Sequence, residues 1–220
     1  MDPLLEKEFD LRLQLPNHSL IIGMSRSGKT RLVLHLIQNL DRFHPSVKTI
    51  LFLYDQYQPE YEQVKVALAR QGVQMILREG SSITLDELER KETQTLLIID
   101  DATEETASST EIAKIATNGR HKNVSLWLIW HSLYTKHPAS RMIAQNVSYF
   151  FFLPSVRLTS QIHTLDSQLR SKGQLVSAYE QAIDSNEKHK YLLLDVAPNT
   201  PSQFRYRTSV TQDPQHIFLP

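Results

Sequence analysis

Short apolar runs and longer amphipathic stretches alternate along the chain, with lengths that match strands and helices respectively. The runs are continuously apolar, which is typical of strands buried on both faces of a parallel sheet. They predict strands at residues 19–22, 49–54, 94–100, 124–130, 149–153 and 191–195. We therefore expect an α/β fold in which a mostly parallel sheet carries helices on both faces.

The amphipathic stretches between these runs predict helices. They cover residues 29–39, 59–71, 110–118, 138–145, 159–169 and 175–183. A capping box formed by Thr84 and Glu87 predicts one further short helix. We expect residues 1–196 to form one domain. Residues 197–220, in which prolines interrupt a polar segment, are expected to form a C-terminal tail with a strand-like piece at 204–210 and a flexible end.

Composition restricts the classes of function that are open. The 24 basic and 24 acidic residues balance, so any contact with a polyanion must be local or built by assembly. The chain has no cysteine, which excludes disulfides and thiolate metal sites. Residues 1–8 lack the pattern of a secretory signal, and no apolar run approaches the roughly 18 residues of a membrane span. We therefore expect a soluble, intracellular protein that is neither secreted nor bound to a membrane.

Residues 23–30 read G-x-x-x-x-G-K-T, directly after an apolar run and before a predicted helix. This is a phosphate-binding loop in its strand–loop–helix context, and it predicts binding of a nucleoside triphosphate. Backbone N–H groups and the helix N-terminus would hold the phosphates, and the Lys29 ammonium would neutralise charge toward the γ-phosphate. The residues expected to contact the nucleotide are Gly23, Ser25, Arg26, Ser27, Gly28, Lys29, Thr30 and Arg31.

The predicted strand at residues 94–100 ends in two carboxylates, Asp100 and Asp101. Ligands of doubly wound sheets lie beyond the carboxyl ends of the strands, so these acids and the phosphate loop are expected to open into one crevice. Asp100 would hold Mg²⁺ opposite the hydroxyl of Thr30, because Mg²⁺ prefers a few oxygen ligands together with substrate phosphates. Asp101 would polarise the attacking water.

The strand predicted at residues 124–130 is followed by His131 and Ser132. In P-loop enzymes that carry an extra strand between the two nucleotide motifs, a polar residue at this place contacts the γ-phosphate or the water. We expect His131, with Ser132 as the alternative, to sense hydrolysis. The expected architecture is therefore a RecA-like (ASCE) P-loop NTPase with this strand between the two motif strands.

Residues 13–153 resemble the viral genome-packaging ATPases of the FtsK/HerA superfamily, of the type shared by poxviruses and Maverick/Polinton-like elements. The resemblance rests on the phosphate loop, on the strand that closes in Asp-Asp where Asp-Glu is usual, and on residues 118–125, which resemble the family's G-R-H-x-N-x-S signature. One position departs from the family: His131 stands where glutamine is usual.

The resemblance implies a motor that uses ATP and Mg²⁺. Such a motor assembles as a homo-oligomeric ring, a hexamer or a pentamer, and moves double-stranded DNA into a viral capsid. It would act in the nucleus or cytoplasm of an infected cell, or in association with the virion.

A ring motor also needs an arginine finger, usually supplied by the neighbouring subunit, to neutralise charge that develops on the γ-phosphate. Arg120, within the signature, is the first candidate, and Arg141, on the helix after the strand predicted at residues 124–130, is the second. The basic clusters at residues 120–122 and 136–137 are candidates for DNA contacts beside the nucleotide face.

Two other functions stay open. A nucleotide or nucleoside kinase shares the phosphate loop and the α/β core, but the only candidate for an arginine-rich lid, residues 157–170, has two well-separated arginines. A scaffold that binds ATP without hydrolysing it, at the capsid, is suggested by the departures at Asp101 and His131. Intact Lys29, Thr30 and Asp100 argue against that scaffold.

Overall fold

A nine-stranded sheet forms the centre of the computed structural model, which describes residues 9–133, 137–185 and 189–219. Residues 1–8, on which the expectation about a secretory signal rests, lie outside the described residues. The strands are β1 (Leu13–Gln14), β2 (His18–Ile22), β3 (Phe43–His44), β4 (Val47–Tyr54), β5 (Gln74–Glu79), β6 (Gln94–Ile99), β7 (Val124–Trp130), β8 (Tyr149–Phe152), β9 (Leu192–Asp195), β10 (Tyr206–Thr208) and β11 (His216–Ile217).

The helices lie between the strands, as the amphipathic stretches predict. They are α1 (Lys29–Gln38), α2 (Pro59–Arg70), α3 (Glu104–Ala107), α4 (Thr110–Asn118), α5 (Pro138–Gln145), α6 (Thr159–Leu169) and α7 (Gln174–Asp184). None of the helices in the described ranges has the length and apolar character that a membrane crossing requires.

The strand order of the large sheet is β11-β10-β9-β8-β2-β7-β6-β4-β5. The six strands from β8 to β5 are parallel, and β9, β10 and β11 add to this core in antiparallel pairs. Strands β1 and β3 form a separate parallel pair. As predicted, β7 lies between β2 and β6, so the ends of these three neighbouring strands open at the same edge, which we call the carboxyl edge.

Both faces of the parallel sheet are covered, which is why its strands are continuously apolar. Along β6, Leu96 and Ile98 pack in the cluster that contains the apolar faces of α1 and α2. Leu97 and Ile99 point to the other face and pack in the cluster that contains α4, α5, α6 and α7. Burying one such side chain stabilises the fold by about 1.5–3 kcal/mol, so this strand alone anchors both layers.

The segment beyond residue 197 extends the sheet through β10 and β11, and the predicted strand-like piece at 204–210 contains β10. A fully buried ion pair ties this region to the sheet, with Arg207 Nη2 2.8 Å from Asp195 Oδ2. Arg207 Nη1 also donates to the carbonyl of Leu11. Burial raises the pKa of Asp195, and the charge of Arg207 opposes that shift. Removing either partner would leave an uncompensated buried charge, which costs about 3–5 kcal/mol.

The prediction of a helix at the capping box was wrong. The reciprocal bonds form, from Thr84 N to Glu87 Oε1 (2.9 Å) and from Glu87 N to Thr84 Oγ1 (3.4 Å), but they close only a turn. The ammonium of Lys122 donates hydrogen bonds to the carbonyls of Leu85 and Leu88, each at 2.8 Å. Carbonyls that would accept the next helical N–H groups are therefore occupied by a side chain.

Several elements were not predicted, among them β5, α3 and the short strands β1, β3 and β11. β5 is an edge strand beside β4 in which only Met75 is buried, and its apolar run at residues 75–77 is only three residues long. α3 lies in a small polar segment that reads as a loop, and the hydroxyl of its N-cap Thr103 accepts a hydrogen bond from the Thr106 amide. The formation of β5 and α3 therefore depends on contacts with neighbouring parts of the fold, and local periodicity does not predict either element.

Candidate active site

The phosphate loop lies at the carboxyl edge between β2 and α1. A Cβ added at Gly23 would lie 2.5 Å from Ser27 Oγ, so the loop can close this tightly only with glycine at that position. Gly28, the N-cap of α1, has a φ of +92°, in the left-handed region that favours glycine. The two fixed glycines of the motif are thus required for different reasons. Close packing requires Gly23, and the backbone conformation requires Gly28.

The hydroxyl of Ser27 provides a test of whether this loop suits a phosphate. Its Oγ is buried and has no hydrogen-bond partner among the described residues. Buried hydroxyls in folded proteins normally have a partner, because an unsatisfied one is costly. An anionic oxygen held in the loop would accept from this donor, so the residues present fit a bound phosphate.

Lys29 is buried, with 6% of its surface exposed. Its ammonium donates to the carbonyls of Gly23 (3.0 Å) and Met24 (2.9 Å), and it lies 3.2 Å from Nδ1 of His131. Burial lowers the pKa of Lys29, and two nearby carboxylates oppose that shift. All three protons of the ammonium are therefore engaged by neighbours that a nucleotide phosphate would compete with.

Asp100 follows β6 and is buried between two hydroxyl donors. Its Oδ1 accepts from the hydroxyl of Thr30 at 2.9 Å, and its Oδ2 accepts from the hydroxyl of Tyr61 at 2.6 Å. Burial raises the pKa of Asp100, whereas these two hydrogen bonds favour the ionised form and oppose the rise. Burial and the bond to Asp100 both raise the pKa of Tyr61 far above its usual value, so Tyr61 stays protonated and donates.

Asp101, one residue further along the chain, points in a different direction from Asp100. Its backbone has a φ of +54°, a left-handed conformation that aspartate tolerates better than most residues. Its Oδ1 lies 2.7 Å from Nε2 of His131. Because the ammonium of Lys29 can only donate, Nδ1 of His131 accepts, and Nε2 carries the proton that is donated to Asp101. A continuous path of hydrogen bonds thus runs from Lys29 through His131 to Asp101.

These groups line one cavity of about 410 Å³ at the carboxyl edge. The segment between β4 and α2 forms its outer wall, with Tyr54, Asp55, Gln56 and Gln58. Within the part of the chain that the structure describes, no group of three or more His, Asp or Glu side chains is arranged to hold a metal ion. A Mg²⁺ ion would instead be held by the oxygens of Asp100 and Thr30 together with nucleotide phosphates, the donor set that this ion prefers.

The structure brings most of the predicted site residues together. Ser25, Arg26, Gly28, Lys29, Thr30, Arg31, Asp100, Asp101 and His131 all line this cavity, and Gly23 and Ser27 shape the loop behind it. Ser132, the alternative sensor, lies apart from the cavity lining, and its Oγ donates to Gln161 Oε1 at 3.4 Å. The geometry therefore favours His131 for contact with the terminal phosphate.

The two candidate arginines do not lie in the cavity of their own chain. Arg120 precedes β7 at the opposite edge of the sheet, where its Nη2 donates to the carbonyl of Asn146 at 2.6 Å. The cluster at residues 120–122 therefore does not border the nucleotide face within one chain, and Lys122 is engaged by the carbonyls described above. Arg141 is exposed in the first turn of α5, which starts on the carboxyl side of the sheet. Lys136, in the second basic cluster, lies outside the described residues.

Sequence reasoning missed the role of Tyr61. Tyr61, Val64 and Leu68 form the buried stripe of α2 at helical spacing, so the ring of Tyr61 reads as a core residue. Its ring does pack in the core, 4.8 Å from the ring of Phe52, and only the hydroxyl reaches the site. The sequence pattern does not show that the hydroxyl of such a core tyrosine has a partner in the site.

Solved structures with a similar fold include several ATPases. The genome packaging NTPase B204 from Sulfolobus turreted icosahedral virus 2, in complex with ATP-gammaS, has a TM-score of 0.51 and 16% identity, covering 82% of this chain and 92% of that one. The Legionella pneumophila ATPase DotB has a TM-score of 0.46 and 10% identity, covering 84% of this chain and 61% of that one. The cytoplasmic domain of the Thermomonospora curvata Type VII secretion ATPase EccC has a TM-score of 0.43 and 17% identity, and the match covers 64% of this chain and 20% of that one.

The likeness to B204 confirms the predicted P-loop fold. No curated protein sequence is significantly similar to this chain. A family model, described as Poxvirus A32 protein, matches residues 6–212. The expected relationship to the poxvirus type is thereby confirmed, and since the match spans nearly all of the 220 residues, the chain belongs to the Poxvirus A32 protein family.

Proposed function

We propose that this protein is a Mg²⁺-dependent ATPase motor that moves a viral double-stranded DNA genome into a capsid inside an infected cell. The observation that carries the proposal is the meeting of Lys29, Asp100, Asp101 and His131 in one cavity of an A32-family chain. Support comes from B204, a genome packaging NTPase of similar fold whose structure contains ATP-gammaS. The kinase and the inactive scaffold are not favoured by this family membership.

Nucleotide binding starts with an exchange of partners at Lys29. The ammonium has three protons, and in the structure they face two loop carbonyls and His131. A phosphate oxygen in the loop is a charged acceptor and forms a stronger hydrogen bond than a neutral carbonyl or imidazole. We therefore expect Lys29 to turn to the phosphates. Nδ1 of His131, which accepts from Lys29, can then contact a phosphate oxygen only as a donor, after the imidazole has taken up a proton.

Tyr61 acts as a positioning residue for the metal ligand. Its hydroxyl occupies Oδ2 of Asp100, so the carboxylate is fixed with Oδ1 directed at Thr30. Mg²⁺, when bound, neutralises phosphate charge and stabilises the charge that develops in phosphoryl transfer. A partner that holds a metal ligand in place contributes to metal affinity even though it does not touch the ion.

Asp101 and His131 are placed for the hydrolytic step. Asp101 is exposed to the cavity and carries a carboxylate that accepts from His131, so it is oriented without being buried. A carboxylate within hydrogen-bond reach of a water can take its proton as the oxygen attacks phosphorus. His131 links this base to Lys29, and through it the state of the terminal phosphate reaches Asp101.

A neighbouring subunit of a ring would complete the site with an arginine. The guanidinium of Arg120 already donates to the carbonyl of Asn146, so it is held within its own subunit. The guanidinium of Arg141 is exposed and makes no side-chain hydrogen bond to the described residues. We therefore place Arg141 before Arg120 as the finger, which reverses the order that the signature suggests.

Duplex DNA should stimulate ATP hydrolysis, and the stimulation should fall steeply as salt rises. Contacts to the phosphate backbone release counterions, so the logarithm of DNA affinity falls with the logarithm of salt by about 0.9 per phosphate contacted. The measurement is steady-state hydrolysis with and without duplex DNA across a salt series. As a control, Asp101→Asn should bind ATP-gammaS normally and lose about 100-fold or more in hydrolysis, because it removes the base.

Two results would contradict the motor. A hydrolysis rate that duplex DNA does not change at the lowest salt concentration would contradict DNA translocation. Transfer of phosphate to a nucleoside monophosphate in the absence of DNA would instead establish a kinase.

Tyr61→Phe should weaken Mg²⁺-dependent binding of ATP-gammaS about 10-fold and leave metal-free binding unchanged, because only the orientation of Asp100 is lost. The matched control is Tyr54→Phe, since Tyr54 lines the same cavity, lies 5.4 Å from the Tyr61 ring and makes no side-chain hydrogen bond to the described residues. The measurement is equilibrium binding of ATP-gammaS against Mg²⁺ concentration and in EDTA. If the Mg²⁺ concentration at half-saturation were the same in Tyr61→Phe and Tyr54→Phe, the hydroxyl of Tyr61 would not position the carboxylate of Asp100.

Arg141→Ala should reduce hydrolysis about 1,000-fold or more and should be rescued in mixed rings, because a finger acts on the neighbour's nucleotide. The rescuing subunit is Lys29→Ala, which has no working site of its own but keeps Arg141. Arg120→Ala, a change of the same residue type at the other edge of the sheet, serves as the control and should keep its turnover. If Arg120→Ala alone lost turnover and regained it in the mixture, while Arg141→Ala alone stayed active, the assignment would be reversed. A loss in Arg141→Ala that no mixture restores would exclude a finger in trans.

A further inference from the structure

The chain bends directly after β7, where His131 lines the active-site cavity. Two neighbouring segments hold the backbone on the strand side of this residue. The amide of Gly23 donates to the carbonyl of Trp130 at 3.3 Å, and the amide of Ala102 donates to the carbonyl of Ile129 at 2.9 Å. The position of the imidazole depends on the backbone on both sides of it, so the contacts of the residues that follow His131 also matter for the site.

A side chain from a distant element holds the backbone on this other side. Gln161 lies in the first turn of α6, and its Oε1 accepts from the amide of Leu133 at 2.8 Å and from the hydroxyl of Ser132 at 3.4 Å. A backbone amide can only donate, so the oxygen of the Gln161 side chain, and not its nitrogen, must face the bend. The two residues directly after His131 therefore share one acceptor on α6.

The helix that carries Gln161 is firmly packed, so it can serve as a fixed support. Ile162 and Leu165 of α6 are buried in the same apolar cluster as Leu133. Asp166 accepts from two backbone amides at the N-terminus of α7, at 2.8 and 3.0 Å, and so joins the two helices. A functional group is held more precisely by a rigid element than by a loop, because the rigid element moves less.

The imidazole of His131 has little freedom if it is to keep both of its partners. Its Nδ1 lies 3.2 Å from the ammonium of Lys29, and its Nε2 lies 2.7 Å from Oδ1 of Asp101. Without the oxygen of Gln161, the amide of Leu133 loses its acceptor, and the bend would shift toward another partner. A displacement of about 1 Å in an active site can cost about 100-fold in rate, so such a shift would be felt in hydrolysis.

We propose that Gln161 is a positioning residue for His131 and supports ATP hydrolysis from α6. It lies outside the lining of the active-site cavity, so it acts through the bend and not on the nucleotide. The proposal rests on the proposed function, since it takes hydrolysis at this site as given. It adds to the site a helix that follows β8, in a part of the chain that carries no nucleotide motif.

Two substitutions at one position separate the acceptor from the bulk of the side chain. Gln161→Met keeps a similar length without an oxygen, and it should lower kcat about 10- to 100-fold while the KM for ATP and the affinity for ATP-gammaS stay unchanged. Gln161→Glu keeps the acceptor, and its kcat should lie within about 3-fold of that of the unchanged protein. Gln181→Met is the matched control, because the amide of Gln181 donates to Ser177 on its own helix, and it should change neither quantity.

Three results would overturn the assignment. They are normal turnover in Gln161→Met, a loss in Gln161→Glu as large as that in Gln161→Met, and a loss of ATP-gammaS affinity equal to the loss of kcat. The last result would indicate a general disturbance of the fold. An unchanged protein that does not hydrolyse ATP would overturn the proposed function together with this one, which distinguishes the two failures.

A double-mutant cycle tests whether Gln161 acts through His131. When His131→Ala has already removed the imidazole, adding Gln161→Met should lower the single-turnover rate of hydrolysis by less than about 2-fold, because the group that Gln161 positions is gone. A further loss of about 10-fold or more in the double variant would show that the two residues act independently, and it would overturn the proposal.

Discussion

The burial of the Lys29 ammonium beside two carboxylates is the constraint on which the rest of the site depends. A buried cation without partners would be too costly to keep, so its protons are engaged by two loop carbonyls and by His131. Asp101 holds the far side of the imidazole. The same charge that would attract a triphosphate therefore also holds the loop carbonyls and His131, and a bound phosphate would replace these contacts of Lys29.

The parallel sheet creates this arrangement by its strand order. With β7 between β2 and β6, the loop after β2, the acids after β6 and His131 after β7 arrive side by side at the carboxyl edge. The neighbours beyond them contribute in different ways. α2, which follows β4, brings the hydroxyl of Tyr61 to Asp100, and the residues after β8 and before β9 bound a cavity of about 330 Å³ on the other side of the phosphate loop. One edge of the sheet thus brings together the phosphate loop, the paired acids and His131 from three neighbouring strands.

The parts of this molecule that local sequence dictates could be predicted. Continuous apolar runs identified the buried strands, and the fixed glycines, Lys29 and the paired acids identified the phosphate site, because their chemistry requires those residue types at that spacing. Contacts that depend on tertiary structure could not be predicted. Lys122 caps the carbonyls that would extend the capping-box helix, Arg120 faces a backbone carbonyl at the far edge, and the hydroxyl of Tyr61 is hidden in a core stripe. Each of these is a long side chain whose target lies far away in the sequence.

The central claim is that Lys29 and Asp100 grip one metal-bound nucleotide, and equilibrium binding of ATP-gammaS to variants of these two residues tests it most directly. Lys29→Ala should lose about 10- to 100-fold in affinity both with Mg²⁺ and in EDTA, since a hydrogen bond to a charged phosphate is lost in either case. Asp100→Asn should bind as the unchanged protein does in EDTA and lose only the gain that Mg²⁺ provides. Affinity that is unaffected by Lys29→Ala, or a loss in Asp100→Asn that is the same with and without Mg²⁺, would contradict the account.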